Sequence, residues 1–231
     1  MIAGYSDFPG YGNTPTGGIQ GFTTLFTQGK RLNDEKSLGK IDALILWGGS
    51  DIGTSLYNEK PQYHYGVQEE ASARDVFEWE LIKKAVKAKI PIIGVCRGAQ
   101  ILCAFAGGKL IQHTSGHLYP HSVKTYDGKV FEQVSSSHHQ MMFPFHLNDD
   151  EYEVLATTNN LLGHFGNYNS YQGITLDEVK TLKEEMEPEV VFYKKLNAMA
   201  IQSHPEWQVN YPFTNWCLTE ILCHLFGESK E

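Results

Sequence analysis

The stretch IPIIGVCRGAQILCAFAGG, residues 90–108, joins a strand pattern to a helix pattern around a single cysteine. Its first six residues form an apolar run that is typical of a buried strand. The apolar residues that follow recur at helical spacing up to a pair of glycines, which favour a helix end. Cys96 lies between Gly94 and Gly98, where the strand becomes the helix. The pattern therefore predicts a sharp turn that holds Cys96 at the carboxyl edge of a sheet.

A cysteine in this setting is a candidate nucleophile. The strained G-x-S-x-G turn of many hydrolases exposes a serine in the same way, with glycines that make room for the turn. The helix that starts after Cys96 directs free N–H groups and its positive dipole end at the sulfur, which favours the thiolate. A buried structural cysteine is the alternative. We assign that role to Cys103, which falls inside the predicted helix.

Strand and helix patterns alternate along the rest of the chain. Asp127 and Gly128 mark a hairpin turn. Apolar strand runs occur at IDALILW (41–47), YEVLA (152–156), EVVFY (189–193) and AMAIQS (198–203). Helix patterns begin at Ile19 (with Phe22, Leu25 and Phe26), at Phe77 (with Leu81, Ile82, Ala85 and Ala88) and at Phe213 (with Trp216, Leu218, Ile221, Leu222 and Leu225). This order predicts a three-layer α/β sandwich around a largely parallel sheet, in a single domain over residues 1–231.

Composition argues against several function classes. The net charge is −8, so the chain lacks the basic surface that binds nucleic acid or an anionic membrane. Its first residues, MIAGYSDFPG, have neither the basic nor the apolar part of a signal peptide, and no apolar run approaches the roughly 20 residues of a membrane span. The four cysteines include no CxxC pair. We therefore expect a cytoplasmic protein that binds neither nucleic acid nor membrane.

A thiol nucleophile needs a base, and the base needs a residue that orients it. His204, in AMAIQSHPEW just after a predicted strand, is the best candidate among the ten histidines. Glu206, two residues further on, is placed to hold the imidazole in its useful tautomer. The HPE motif alone is a weak signal. Together with the glycine-flanked Cys96, it predicts a triad of cysteine, histidine and glutamate.

GVCRGAQ followed by SHPEW resembles the class-I glutamine amidotransferase superfamily, whose triad is Cys, His and Glu in that chain order. Other motifs make the chain most similar to the γ-glutamyl-γ-aminobutyrate hydrolase branch, a peptidase-like group. These motifs are LWGGSDIGTSLY (46–57), the Arg74–Asp75 pair, CRGAQ rather than CLGxQ, SSHHQ (136–140) and HPEW. The resemblance covers about residue 41 to 226, and it implies a flavodoxin-like arrangement of the sheet.

The resemblance also implies roles for individual residues. Cys96 would be the nucleophile, His204 the general base and Glu206 its orienting partner. The oxyanion hole would consist of backbone N–H groups of Gly49 and Arg97. The implied or candidate substrate-binding residues are Gly48, Gln100, His138 and His139; for the two histidines, which lie in a predicted loop, a surface or core position is the alternative.

Two parts of the chain depart from the family pattern. The first 40 residues match its β-α-β opening poorly, which predicts a missing or irregular strand there. An insertion of about residues 157–188 separates two strands that the family joins by a short turn. In its second half Leu176, Val179, Leu182 and Met186 recur at helical spacing, and Thr175 is a candidate cap. We expect the insertion to cover the Cys96 pocket or to dock a partner, and a tolerated surface insertion is the alternative.

No metal and no cofactor are expected. His113, His117 and His121 repeat at four-residue spacing, which on a helix would present a metal-binding face. A glycine and a proline interrupt that helix, and no cysteine or acidic ligand accompanies the three histidines. The glycines at 17–18 have neither the G-x-G-x-x-G spacing nor the lysine of a phosphate-binding loop.

Three functions remain open on the sequence. The first is cysteine-dependent hydrolysis of the γ-amide of glutamine or of a γ-glutamyl amine, through a glutamyl thioester formed on Cys96. The second is a glutaminase subunit that passes ammonia to a separate synthetase or amidoligase partner. The third is a relative that uses the fold for binding, against which the intact triad argues. The first two share every catalytic residue, and we favour the hydrolase.

Overall fold

A nine-stranded sheet forms the centre of the computed structural model, which describes residues 1–6, 19, 21–33, 35–62, 67–158 and 171–229. Across the sheet, its strands are β2 (Gln28–Leu32), β1 (Ile2–Ser6), β3 (Ala43–Leu46), β4 (Ile92–Val95), β13 (Ala198–Ile201), β12 (Glu187–Tyr193), β10 (Tyr152–Thr158), β7 (His121–Thr125) and β8 (Val130–Val134). Two small sheets pair β5 (Lys109–Ile111) with β9 (Met141–Phe143), and β6 (His113–Thr114) with β11 (Tyr171–Gln172).

The sheet has a parallel half and an antiparallel half, which meet at β13. Neighbours from β2 through β1, β3 and β4 to β13 pair in parallel. From β13 onwards, β12, β10, β7 and β8 pair antiparallel. The parallel core confirms the predicted flavodoxin-like α/β fold, and the β7–β8 pair confirms the predicted hairpin at Asp127–Gly128.

Helices cover both faces of the sheet. They are α1 (Ala73–Ala88), α2 (Arg97–Phe105), α3 (Leu176–Glu185) and α4 (Tyr211–Phe226). Alternate residues of the parallel strands point to opposite faces, so each strand contributes to two cores. Leu44 and Leu46 pack with α1 and α2, whereas Ile45 packs with α4. This arrangement is the predicted three-layer sandwich.

Four short 3-10 turns connect these elements. They are Glu35–Lys40, Thr54–Tyr57, Lys194–Leu196 and Pro205–Trp207. The last of them follows β13 and contains Pro205 and Glu206 of the HPE motif, with His204 as its N-cap, so it matters for the site described below. None of the helices in the described part of the chain is both long and apolar enough to span a membrane.

Two expectations for the start of the chain are wrong. The described residues of the segment predicted as a first helix, 19 and 21–27, form turns, in which the Phe22 N–H donates to the Ile19 carbonyl at 2.9 Å. The helical spacing of their apolar residues is satisfied instead by packing into the core, where Phe22 contacts Trp47 with ring centroids 5.6 Å apart. The expectation of a missing or irregular strand is also wrong, because β1 and β2 are both present and pair in parallel in a regular register.

The described part of the insertion packs in a small hydrophobic core of its own and of neighbouring strands. Thr175 caps α3 as predicted, in a reciprocal capping box with Glu178. Leu182 and Tyr171 pack with residues of β5 and β9, of which Phe143 is one. Residues 159–170, where the first half of the insertion lies, are outside the described ranges.

Candidate active site

Cys96 occupies the turn between β4 and α2, with φ 53° and ψ −108°. A positive φ is uncommon for any residue with a side chain, so the turn needs support from its neighbours. The flanking glycines supply that support by close approach. A Cβ on Gly94 would lie 2.4 Å from the Gly98 carbonyl oxygen, and a Cβ on Gly98 would lie 2.0 Å from the Leu46 carbonyl oxygen. The strained turn that the sequence predicts is present.

His204 and Cys96 leave neighbouring parallel strands at the same edge of the sheet, because β13 pairs with β4. The Cys96 N–H donates to the Ile201 carbonyl at 2.8 Å, which fixes the two strand ends together. His204 Nδ1 lies 2.7 Å from Glu206 Oε1, and its ring stacks on Trp207 with centroids 3.9 Å apart. The three residues predicted as a triad are therefore brought together.

The charge state of His204 depends on its two partners. Burial alone would lower the pKa of His204, but the contacts with Cys96 and with Glu206 raise it to about 10. Gly48 lies against both reacting groups, since a Cβ there would be 3.4 Å from His204 Cε1 and 3.8 Å from Cys96 Sγ. A protonated imidazole beside the sulfur is the arrangement that favours a thiolate nucleophile.

The turn after β3 carries the predicted oxyanion-hole residue Gly49, which has a φ of 151°. Arg74, on α1, donates two hydrogen bonds to the backbone of this turn. Its Nη1 donates to the Gly48 carbonyl at 3.0 Å, and its Nη2 donates to the Trp47 carbonyl at 2.9 Å. A Cβ on Gly49 would lie 2.2 Å from Arg74 Nη1, so the turn leaves no room for a side chain.

Arg97, the second predicted oxyanion-hole residue, has its side chain in a buried ion-pair network. Its guanidinium donates to Asp75 and to Glu78, and Arg74 Nε donates to Glu78 at 2.9 Å. Ser6 of β1 donates its hydroxyl to the same glutamate. The Arg97 side chain is thus committed to positioning α2 on α1. Its backbone N–H, in the first turn of a helix, has no intrahelical partner. The part of this N–H in an oxyanion hole stays a prediction.

The remaining predicted binding residues are Gln100, His138 and His139. They contact the Gln140 carbonyl or the Asp51 carboxylate. Gln100 Nε2 donates to the Gln140 carbonyl at 3.0 Å, and His138 Nδ1 donates to the same oxygen at 2.8 Å. Burial lowers the pKa of His138 well below its usual value, with help from neighbouring histidines. His139 Nε2 lies 3.1 Å from Asp51 Oδ2, in the loop that follows the oxyanion turn. Their roles in binding stay predictions.

Two residues near the triad carry no signal that sequence reasoning detects. Ser135 holds the backbone of His204 from both sides: its Oγ donates to the His204 carbonyl at 2.7 Å, and its own carbonyl accepts the His204 N–H at 3.1 Å. Gly21 has a φ of 80° and lies against Glu206, where a Cβ would be 2.3 Å from the glutamate Cα. Both contacts join segments far apart in the chain, so no local pattern indicates them.

Part of this chain matches a known family. Residues 20–148, more than half of the chain, match the family described as peptidase C26. The chain belongs to the peptidase C26 family. The match includes Cys96 and the turn at Gly49, and the resemblance to class-I glutamine amidotransferases is thereby confirmed.

Individual relatives are similar to parts of this chain, and a solved structure shares its fold. A glutamine amidotransferase-like protein of Lactococcus lactis, YvdE, is 34% identical over 133 residues, which cover 49% of this chain and 56% of that protein. The γ-glutamyl-CDP-amidate hydrolase of Campylobacter jejuni is 27% identical over 153 residues, covering 62% of this chain and 69% of that enzyme. The chain thus spans about half the length of the first of these curated relatives. A glutamine amidotransferase structure from Thermotoga maritima shares the fold, with a TM-score of 0.55 and 13% identity, over 98% of this chain and 92% of that one.

Proposed function

We propose that this chain hydrolyses the γ-amide bond of glutamine or of a γ-glutamyl amine, with Cys96 as the nucleophile. The observation that supports this most directly is the placement of Cys96 in a positive-φ turn beside His204, whose Nδ1 lies 2.7 Å from Glu206. Membership of the peptidase C26 family supports amide hydrolysis in general. The γ-glutamyl substrate class rests on two relatives whose names give that activity.

In the first half of the reaction, the Cys96 thiolate attacks the γ-carbonyl carbon and forms a C–S bond. The carbonyl oxygen takes the negative charge and accepts hydrogen bonds from the backbone N–H groups of Gly49 and Arg97. The tetrahedral intermediate then breaks its C–N bond, and the His204 imidazolium gives its proton to the leaving nitrogen. An amine or ammonia leaves, and a γ-glutamyl thioester remains on Cys96.

In the second half, water attacks the thioester carbon while neutral His204 takes its proton. The C–S bond breaks, glutamate leaves, and the thiolate–imidazolium pair is restored. Glu206 keeps the proton on Nδ1 and the lone pair of Nε2 directed at the reacting atoms, and it stabilises the imidazolium when that forms. Trp207 limits rotation of the ring by stacking on it.

The proposal is tested by incubating the purified chain, without any other protein, with glutamine and with a panel of γ-glutamyl amines. Release of glutamate and of the matching amine, in equal amounts, is the expected result. The Cys96→Ala protein should lose roughly 10⁴–10⁶ of this turnover while it stays folded by circular dichroism.

The same assay separates the three functions left open by the sequence. Glutamine turnover that appears only after a synthetase or amidoligase is added would favour the glutaminase subunit over the stand-alone hydrolase. A folded wild-type chain that releases nothing from any substrate, and forms no thioester trapped by hydroxylamine, would overturn the proposal.

A further inference from the structure

A second cluster of titratable groups lies beside the triad and has no part in the mechanism above. Three of its members are fully or almost fully buried: His117 and Glu189 at 0% exposure and His121 at 3%. One ring nitrogen from each histidine and one carboxylate oxygen of Glu189 all lie within 4.8 Å of one another. Glu187 and His138, both buried, stand next to them.

The hydrogen bonds of this cluster are incomplete. Neither ring nitrogen of His117 makes a hydrogen bond to any described residue, and neither does Glu189 Oε2. A buried imidazole must donate at least one N–H, and an unpaired buried polar atom costs about 1–3 kcal/mol. Several such atoms lie in this one cluster, and a single bound ion would satisfy more than one of them.

The spacing of these atoms suits ligands around a metal better than hydrogen-bond partners. Zn–N bonds of about 2.0–2.1 Å at tetrahedral angles place ligand atoms about 3.3–3.5 Å apart. His117 Nδ1 is 3.9 Å from Glu189 Oε1, which is beyond hydrogen-bond distance and about half an ångström from that ligand spacing. Only His121 Nε2, at 2.9 Å from Glu189 Oε1, is at hydrogen-bond distance, and it would need to move by about half an ångström.

Residues around His117 provide the outer contact that a metal-binding histidine requires. A ligating histidine usually donates its second N–H to a carboxylate or a carbonyl. With His117 Nδ1 as the ligand, its Nε2 faces Glu187 Oε2, close enough to donate after a small shift. Glu187 is fixed in turn by Tyr171, whose hydroxyl donates to Oε1 at 2.8 Å. His138 donates from Nδ1, so the lone pair of its Nε2 is left for a fourth ligand position or for a water.

We propose that His117, His121 and Glu189 bind one divalent transition-metal ion, with zinc as the expected metal. Two imidazoles and one carboxylate form a donor set that zinc accepts, and zinc stands near the top of the affinity order for such sites. The ion would compensate the two buried carboxylates and occupy the lone pairs of the histidines. The proposal does not depend on the function proposed above.

The site would act on the triad through the backbone. Ser136 Oγ and the His138 N–H both donate to the His117 carbonyl, at 2.6 and 3.1 Å. The neighbouring Ser135 holds the backbone of His204. An ion bound between the segment 117–121 and β12 would therefore fix the loop that positions the catalytic base.

The sequence argued against a metal here because it showed no acidic ligand near the three histidines. Glu189 lies 68 positions after His121 and reaches it only because β12, β10 and β7 are neighbours in the sheet. The third histidine of the spacing, His113, is not part of the cluster. It lies beside His139, with ring centroids 5.5 Å apart.

The test measures metal binding in a Cys96→Ala background, which removes the triad thiol as a competing ligand. The protein is equilibrated with excess zinc, freed of loosely held metal on a chelating resin, and analysed by mass spectrometry for zinc, iron, manganese, nickel and copper. One zinc ion per chain is expected. Cobalt should replace it and give the visible absorption of a four-coordinate site without a sulfur-to-metal charge-transfer band.

Variants locate the ion. Glu189→Gln and His121→Ala should each weaken zinc binding by more than 100-fold, and Tyr171→Phe, which leaves all three ligands in place, by about tenfold. The matched control is His146→Ala, since His146 is half-exposed and pairs with Glu178 on α3; it should keep its zinc. Substoichiometric metal in the Cys96→Ala protein would overturn the proposal, and so would a folded Glu189→Gln variant that binds zinc as tightly as its parent.

Discussion

Cys96 differs from the other cysteines in its surroundings. Burial raises the pKa of Cys103 to about 11, and burial also raises that of Cys217 well above its usual value. Cys223 is only partly buried, but it lies inside α4 rather than at the start of a helix. A reagent that combines the shape of glutamine with an electrophile should therefore react with Cys96 alone.

We expect a diazo-ketone analogue of glutamine to label Cys96 and to spare the other three cysteines, as read by peptide mass spectrometry. The Cys96→Ala protein should take up no label, whereas Cys223→Ala should be labelled like the wild type. Label found only on another cysteine would contradict the assignment of the nucleophile.

The raised pKa of His204 gives a prediction that does not need the substrate. Because Cys96 and Glu206 raise this pKa to about 10, the imidazole should stay protonated through neutral pH. Nitrogen chemical shifts of His204, followed from pH 5 upwards, should show loss of the proton only near the alkaline end. Glu206→Gln and Cys96→Ala should each move the titration to lower pH, because each removes one of the two stabilising contacts. Titration of His204 near pH 6.5 in the wild type would contradict the pairing.

The two residues that follow β13 should differ in how much activity they control. Glu206→Gln keeps the shape of the side chain and removes its charge. His204 therefore stays in place, but its imidazolium loses the carboxylate that stabilises it. His204→Ala removes the base itself, which typically costs roughly 10²–10⁴ in rate. Steady-state kinetics should therefore rank Glu206→Gln as the milder change. If both proteins fold and the glutamine variant is the slower one, the roles are assigned wrongly.

At the scale of elements, the turn between β4 and α2 depends on close backbone contact. A Cβ on Gly98 would overlap the Leu46 carbonyl oxygen, which belongs to β3 and cannot move without breaking the sheet. Gly98→Ala should therefore lower the free energy of unfolding by about 3 kcal/mol or more, at or beyond the upper end for overpacking. Chemical denaturation measures this loss.

Gly39→Ala is the matched control for that measurement. No heavy atom lies within 4 Å of the position its Cβ would take, so its effect should stay within about 0.5 kcal/mol. Equal stability of the Gly98→Ala and wild-type proteins would show that the strand and the helix are not in the close contact described.

Elements whose signals are local could be predicted from the sequence. Helix α3 is one: Thr175 and the spacing of Val179 and Leu182 specify it within a few residues. The Cys96 turn is another, because strand, glycines and helix follow one another directly. Ile19 and Phe22 misled the prediction, because their helical spacing serves turns that pack into the core equally well.

Contacts that depend on strand order could not be predicted. The antiparallel half of the sheet decides that Glu189 meets His121, and neither residue carries a signal for the other. The same holds for Ser135, whose two hydrogen bonds to His204 join a loop after β8 to a turn after β13. The triad could be predicted because its motifs are short and distinctive. The residues that hold the triad in place, such as Ser135, are far apart in the sequence and could not.

At the scale of the whole molecule, the insertion adds an element that reaches towards the triad side of the sheet. Its β11 pairs with β6, and Tyr171 of β11 donates to Glu187 of β12. We expect that replacing residues 160–174 with a short Gly/Ser turn leaves Cys96 reactive towards a small thiol reagent. Turnover of the true substrate, or coupling to a synthetase, should fall.

Two variants control for this replacement. Leu176→Ser, on the outer side of α3 and 75% exposed, should change neither quantity. Tyr171→Phe removes one hydrogen bond of the replaced segment and separates the effect of that contact from the loss of the segment. Unchanged turnover and unchanged partner binding after the replacement would show that the insertion has no part in the site.

The contact between Gly21 and Glu206 has a consequence for the protein during its synthesis. The nucleophile emerges from the ribosome long before His204 and Glu206, and the turn that receives Glu206 emerges earlier still. Until the segment with His204 and Trp207 is synthesised, Cys96 has α2 after it but neither the histidine nor the tryptophan that stacks on it. A nascent chain can therefore form β1 to β4 of the parallel half before Cys96 has His204 beside it. The three triad residues can come together only when β13, the last strand of the parallel half to be synthesised, pairs with β4.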